Sequence, residues 1–406
     1  MKRILCLIIC IMMLLTMVSC SRKTGIKEPE NNKKSGQAGT TTGKPAVKTD
    51  VKPKKSDYGQ QLLDMLYKKG ENVLISDLSL KMCLAMVAEG AQGDTLKELE
   101  TYLGCSVEEY RKFAADYLKD LPDSENIKIM IANSYWKDKD LKVKEGYAKV
   151  LQDSYEAEYR EVVFRDKETA ALINGYVKDK TKGLIDKIVD YDTIKEAALM
   201  LMNVLYFKSA WLDEVYLVEK NDFRGLDETK EKNMLRTAED IYFENDKAIG
   251  FAKPYTGRYE FIAILPKAEG DFKLEDLDLA SFIKSRNDTD YMIHTKIPEL
   301  DISSGGDLTD ILQKMGIQSA FIPDYADLSL ITDEQMYIYK VIQKTKLKLD
   351  KDGTEAAAVT IAVANCESAF IQEKEEKEVY LDRPFAFMIY DNQTDTALFT
   401  GKVMMP

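Results

Sequence analysis

Residues Gly353 to Ala364 read Gly-Thr-Glu-Ala-Ala-Ala-Val-Thr-Ile-Ala-Val-Ala, a run of small and β-branched side chains that ends fewer than fifty residues from the C-terminus. Side chains alternate across a strand with a period of two. The even positions are Thr354, Ala356, Ala358, Thr360, Ala362 and Ala364, whereas positions 359, 361 and 363 are Val, Ile and Val. One face of such a strand is small enough to enter a crowded interior. Asn365-Cys366-Glu367-Ser368 and then Glu373-Lys-Glu-Glu-Lys-Glu378 follow directly. These are too polar for a buried strand and read as exposed loop. A latent strand that ends in an exposed loop implies a protein that changes its fold when the loop is cut.

The stretch resembles the hinge and reactive-centre loop of the serpins, the serine protease inhibitors, and further matches run from about Tyr58 to Pro406. In chain order they include Asn72-Val-Leu-Ile-Ser-Asp-Leu-Ser79, with Asp77 where the family has proline, then Gly90-Ala-Gln-Gly-Asp-Thr95 and Ile131-Ala-Asn133. Ile173-Asn-Gly-Tyr-Val177, Asn203-Val-Leu-Tyr-Phe-Lys208 leading to Trp211, Ile264-Leu-Pro266 and Ile297-Pro-Glu-Leu300 follow. Asp310-Ile-Leu-Gln-Lys-Met-Gly316, Asp382-Arg-Pro-Phe385 and Phe399-Thr-Gly-Lys-Val403 complete the series. A collinear series is far more specific than one short motif.

The resemblance implies an α+β serpin fold, with helices clustered around a large central β-sheet, further sheets and an exposed reactive-centre loop at about residues 351–380. It implies a suicide inhibitor of serine proteases. The loop is bait, the protease forms an acyl-enzyme, and the cleaved loop enters the sheet as a new strand. Gly353, Thr354, Glu355, Ala356, Ala357 and Ala358 form the hinge, with Lys351 departing from the usual glutamate. Family register puts the reactive bond at Glu367–Ser368, or one residue earlier at Cys366–Glu367. An elastase-like or subtilisin-like target is favoured, and a glutamate-specific or cysteine protease is the alternative. The sheet-opening region maps to Ser76, Ser79, Asn203 and Trp211, with Gln343 where many relatives carry histidine. A non-inhibitory binding module on the same fold is the other reading, but such relatives often carry bulky or charged residues on the inward face of the hinge.

Composition bounds the remainder. At 406 residues, 45% hydrophobic and 31% charged, the chain can bury a large core. Its formal net charge is −12, yet residues 21–55 hold ten Lys/Arg against three Asp/Glu. The acidic body argues against a nucleic-acid partner. Nothing basic is concentrated at residues 106–121, where some relatives bind a polyanion, so no polyanion cofactor is expected. A monomer is expected, and no other cofactor. The single histidine, His294, gives a hydrolase no Gly-x-Ser-x-Gly elbow to work with, and no Cys/His cluster suggests a metal. An enzyme is not expected.

Lys2-Arg3 precedes an apolar Ile4–Val18 and then Met17-Val-Ser-Cys20, an export signal close to a bacterial lipobox. About fifteen apolar residues is short for a membrane span. The expected organisation is a lipoprotein-type signal at 1–20, a flexible basic tether at 21–55 and a serpin domain at 56–406. Cys20 would carry the lipid and hold the protein on the external side of a bacterial membrane; secretion or an uncleaved anchor is the alternative. Cys83 reads as a small buried hydrophobe, and Cys366 as an exposed thiol that its neighbour Glu367 disfavours as thiolate.

Local signals place a helix over Gln60–Lys69 stopped by Gly70, and two capping boxes, Thr95-x-x-Glu98 and Ser106-x-x-Glu109, on either side of Gly104. Strands are expected over Ile127–Tyr135, Ala197–Phe207, Phe261–Leu265, Val341–Leu349, Phe385–Tyr390 and Ala397–Val403, with His294 in a strand-like run Tyr291–Ile297. Helices first and strands later argue for an α+β domain.

Overall fold

The computed structural model describes residues 58–354 and 374–406. Helices come first: α1 (Tyr58–Leu66), α2 (Asp77–Ala88), α3 (Gly93–Leu103), α4 (Val107–Lys119), α5 (Glu145–Tyr155) and α6 (Lys167–Lys180). The strands are β1 (Val73–Ile75), β2 (Ile127–Asp138), β3 (Glu158–Val162), β4 (Leu199–Ala210), β5 (Leu217–Arg224), β6 (Thr229–Glu239), β7 (Ile241–Glu244) and β8 (Ala248–Pro254). They continue with β9 (Tyr259–Pro266), β10 (Tyr291–Pro298), β11 (Leu300–Asp307), β12 (Ile342–Asp350), β13 (Gly353–Thr354), β14 (Glu375–Tyr380), β15 (Phe385–Asp391) and β16 (Thr396–Val403). This is the expected α+β serpin fold, with three sheets.

One six-stranded sheet runs β1-β16-β15-β9-β8-β7, and every residue of β9 and β15 is buried. The second, β11-β12-β13-β4-β2-β3, separates two apolar layers. Its inner face packs on the main core through Phe207, Leu347 and Leu349. The outer face meets α6 through Trp136, Met202, Val204, Ile173 and Val177. Both faces are therefore covered, and alternation along β4 sorts side chains between two interiors rather than between interior and water.

Of the two expected capping boxes, one forms and one does not. At α4 the Ser106 hydroxyl accepts from the Glu109 amide at 3.2 Å, and Glu109 returns the bond to the Ser106 amide at 3.1 Å. Gly104, at φ 79°, closes α3. Thr95 is not a cap, because α3 starts at Gly93. The Thr95 hydroxyl accepts from the Asp327 amide at 3.0 Å, and Glu98 accepts from the Gln318 and Ser319 amides at 2.8 Å. Both side chains hold a distant loop instead. Helix α1 ends at Leu66, and the Tyr67 hydroxyl accepts from the Gly70 amide at 3.0 Å.

The acidic run at 373–378 departs most from expectation. Glu375–Tyr380 is a strand, β14, which pairs in parallel with β10 from Tyr291↔Glu375 to Lys296↔Tyr380. The four-stranded sheet β14-β10-β6-β5 leaves the outer face of β14 to solvent, so Glu376 and Glu378 stay exposed while Val379 is buried. A charged sequence is tolerated because pairing satisfies its backbone while its side chains remain wet.

Candidate functional site: a slot in the central sheet

Strands β4 and β12 have one edge each fully paired. β4 is zipped to β2 from Lys137↔Leu199 to Ile127↔Ser209, and β12 to β11 from Leu300↔Leu349 to Asp307↔Ile342. Among the described residues, β13 lies between them. Gly353 pairs with Asp350 and Ala210, and Thr354 pairs with Leu349 and Ser209. Among the described residues no ladder joins β4 directly to β12. The interval between their facing edges, entered at β13, is the slot.

The top of the slot is shaped for these two residues. Gly353 has φ 141°, and a Cβ there would lie 2.2 Å from the Ser209 carbonyl oxygen, so only glycine fits. Thr354 is 2% exposed, and its hydroxyl lies 2.5 Å from the hydroxyl of fully buried Tyr255. Trp211 stacks on Tyr255 with ring centroids 4.3 Å apart and planes 10° apart. The indole donates to the Asp350 carbonyl at 2.9 Å, and the Trp211 amide donates to the Asp352 carbonyl at 3.2 Å. Trp211 thus straps the turn through which the chain enters the sheet.

Beneath the strap lies a buried ion pair. Lys253 and Glu239 have side chains 1% and 4% exposed and are 3.0 Å apart, and the Lys253 ammonium sits 5.2 Å over the Trp211 ring. Burial raises the Glu239 carboxyl above its usual range, against the attraction of Lys253. Tyr255, Lys253 and Glu239 were not among the expected site residues. The Lys253-Pro-Tyr-Thr-Gly257 segment carries turn signals, but nothing local shows that its tyrosine points at residue 354.

Of the sheet-opening residues, Ser76, Ser79 and Gln343 meet. The Ser76 hydroxyl caps α2 by accepting from the Ser79 amide at 3.1 Å. Gln343 bridges both backbone groups of Ser76, donating to its carbonyl at 2.8 Å and accepting from its amide at 3.3 Å. Its amide uses a donor and an acceptor at once, which neutral imidazole does with opposite ring edges. Asn203 does not join them. It donates to Asn133 Oδ1 at 2.7 Å across the β2–β4 ladder, and Asn133 donates to the Tyr155 carbonyl at 2.7 Å. The expected sheet-opening residues therefore fall into two separate hydrogen-bonded anchors, one on β12 and one on β4. Thr345 extends the β12 anchor by donating to the Leu74 carbonyl at 2.7 Å. Asn133 was visible as a polar residue in an otherwise alternating strand.

Cys83, in α2, donates to the Leu201 carbonyl of β4 at 3.6 Å, and burial pushes its thiol up to about 12. The helix thus forms the floor of the slot. His294 is on β10, 3.7 Å from Glu376, and pairs in register with Ala238 and Glu378. Among the described residues no serine or cysteine is hydrogen-bonded to it. Hinge residues Glu355, Ala356, Ala357 and Ala358, the bond residues Cys366, Glu367 and Ser368, and Cys20 lie outside the described residues.

Comparison with known proteins agrees with this geometry. The chain is 32% identical over 367 residues to an uncharacterized serpin-like protein of Thermococcus kodakarensis, covering 84% of this chain and 83% of that protein. It is 29% identical over 370 residues to Iripin-3 of Ixodes ricinus, covering 86% and 93%. The native-state crystal structure of the thermophilic serpin tengpin superimposes with a TM-score of 0.76 at 32% identity, covering 86% of this chain and 92% of that one. The family model for serpins, serine protease inhibitors, matches residues 53–406, and this chain belongs to that family.

Proposed function

We propose that this protein inhibits serine proteases as a suicide substrate, held on the outside of a bacterial cell by a lipid on Cys20. The observation that carries the reading is the slot: two facing strand edges, an entry already occupied by Gly353 and Thr354, and a following sequence with small residues at every inward position.

In the proposed reaction the protease serine oxygen attacks the Glu367 carbonyl. The Glu367–Ser368 peptide bond breaks, Ser368 leaves as a new amino terminus carrying the proton from the protease acid, and Glu367 remains esterified to the enzyme. The freed strand enters the slot and carries the protease with it. Insertion satisfies the backbone groups along both banks, and that free energy drives the distortion that prevents hydrolysis of the ester. The inhibitor supplies no acid, base or nucleophile.

Cys366 as the residue before the bond would suit elastase-like or subtilisin-like enzymes, and this target class is favoured. Incubation with a panel of serine proteases, followed by denaturing electrophoresis and mass spectrometry of the released peptide, tests the reading. A covalent complex with a fragment beginning at Ser368, or at Glu367, is expected. A fragment starting beyond Phe370, or cleavage with no complex by any protease, overturns it.

A further inference from the structure

Beyond β11 the chain forms a short helix, Thr309–Lys314, and residues 315–341 then reach β12 with no regular structure except a 3-10 turn at Ser319–Phe321. Connections longer than about 12–15 residues are uncommon in compact domains and are usually functional. This one is pinned along its length. The Glu98 carboxylate accepts from the Gln318 and Ser319 amides, the Asp327 amide donates to Thr95, and the Leu330 amide donates to the Gly90 carbonyl at 3.1 Å. Side chains displayed by such a segment are held in place before any partner arrives.

The short helix has two faces. Leu308 and Leu312 are buried, while Asp310, Gln313 and Lys314, at i, i+3 and i+4, share the opposite side. With Gln318 and Ile322 they line an open groove of about 490 Å³, within the range of about 300–1,000 Å³ of ligand sites. Among the described residues the polar ends of Asp310, Gln313, Lys314 and Gln318 meet no protein partner. Two carboxamides, each donor and acceptor, one carboxylate and one ammonium are therefore left for a ligand.

Tyrosines border the groove. Tyr325, 73% exposed, lies one turn on from Ile322, its amide donating to the Ile322 carbonyl at 3.0 Å. Gln335 donates to the Pro323 and Ala326 carbonyls at 2.7 and 3.1 Å, which brings the segment carrying Tyr337, 40% exposed, alongside. Each ring offers an apolar face and a polar tip. Exposed apolar surface gathered in this way beside a polar groove marks an interaction site, whereas single exposed side chains do not.

The chemistry narrows the ligand. One carboxylate and one ammonium cancel, so the groove has no net charge with which to attract a polyanion or a polycation. Its amides call for a dense array of donors and acceptors, and Ile322 and the tyrosines call for an apolar face. A sugar ring carries both, with hydroxyls around its rim and C–H groups on its faces. We propose that this groove binds an uncharged oligosaccharide, with Gln313 and Gln318 on ring hydroxyls and Tyr325 under a ring face. The site is independent of the inhibition reading and compatible with it. It follows Asp307, which pairs with Ile342 at the far end of the β11–β12 ladder, about 24 Å from the Leu300↔Leu349 end where the chain enters the slot. A bound glycan leaves that entry free.

The full chain is titrated by calorimetry with neutral hexasaccharides of β-1,4-linked glucose, xylose, mannose and N-acetylglucosamine, and with hexagalacturonate as the charged comparison. Each is taken to about 10 mM, tenfold above a Kd of about 1 mM. At least one neutral sugar is expected to bind, and more tightly than hexagalacturonate. Tyr325→Ala and the double variant Gln313→Ala/Gln318→Ala should each lose about tenfold or more in affinity. Tyr216→Ala, which removes another exposed tyrosine close in the chain to Trp211, should bind as wild type does. The substituted side chains carry no internal contacts that hold the fold, so all variants should melt with wild type. No neutral sugar bound at that concentration, a preference for hexagalacturonate, wild-type affinity in either groove variant, or an equal loss in Tyr216→Ala overturns the site.

Discussion

Replacing Thr354 by arginine tests the slot at its first inward position. Thr354 is 2% exposed, with its hydroxyl 2.5 Å from Tyr255 and Trp211 stacked behind that ring. Beneath the strap Lys253 and Glu239 already satisfy each other at 3.0 Å, and the Asp350 carboxylate, whose charge acts on Tyr255, accepts from the Asp352 amide at 2.9 Å. An arginine carried inward finds no free carboxylate, and an uncompensated buried charge costs about 3–5 kcal/mol. Expulsion of the hinge instead forfeits the β13 ladder and the Tyr255 bond, and leaves the slot without its starting residue. If the full cost is felt in the transition state for insertion, each 1.4 kcal/mol slows it tenfold, so insertion slows from roughly 10²-fold to several thousand-fold. Deacylation then overtakes it. The assay is a gel with one protease, read as moles of inhibitor consumed per mole of protease trapped, beside melting curves of intact and nicked protein. Thr354→Arg should be cleaved as a substrate with little covalent complex and should gain little on nicking, whereas wild type should gain many degrees. Wild-type stoichiometry for Thr354→Arg, or an unchanged melting temperature after nicking wild type, would refute the reasoning.

Further expectations follow from individual contacts. Lys253→Met strands Glu239 in the interior and should lower the melting temperature of the intact protein by several degrees, from a loss of about 3–5 kcal/mol, measured by calorimetry. Cys83 should resist thiol reagents at pH 8 until the protein is unfolded, since burial holds its thiol at about 12. The folded value lies above the unfolded one, near 9.0, so this group leaves stability unchanged below pH 9 and lowers it from pH 9 to about 12, where only the unfolded thiol ionises. Urea melts across that range should slope less steeply for Cys83→Ala, by up to about 1.4 kcal/mol per pH unit. Cys20→Ala should abolish incorporation of a fatty-acid analogue in the producing cell, and label retained by the variant removes the lipid assignment.

The order of the elements and most strands of the two six-stranded sheets are legible along the chain, because period-two alternation and turn residues are local properties. Thus Val341–Leu349 and Phe385–Tyr390 were placed within a residue of the observed strands. The polar strands β5, β6 and β14 carry no such pattern. Their stability comes from ladders closed with one another and with β10, which no window of the sequence contains. The same limit applies to single side chains. Thr95 and Glu98 form a capping pattern on paper but are recruited by amides more than two hundred residues away.

By itself, the sequence determined that residues 353–364, if extended, present one small face and one bulky face, and that the chain resembles the serpins. Only the tertiary structure decided what surrounds the sheet that Gly353 and Thr354 enter. Alternation sorts side chains into two sets without naming the surroundings of either. The surroundings are α2 under one face of the sheet and α6 over the other, and the register on Ser209 and Leu349 sets Thr354 against Tyr255. Hydrogen bonds act over about 3 Å, so whether Asn203 serves Ser76 or Asn133 is settled by which strand lies beside it, a matter of sheet order rather than of sequence.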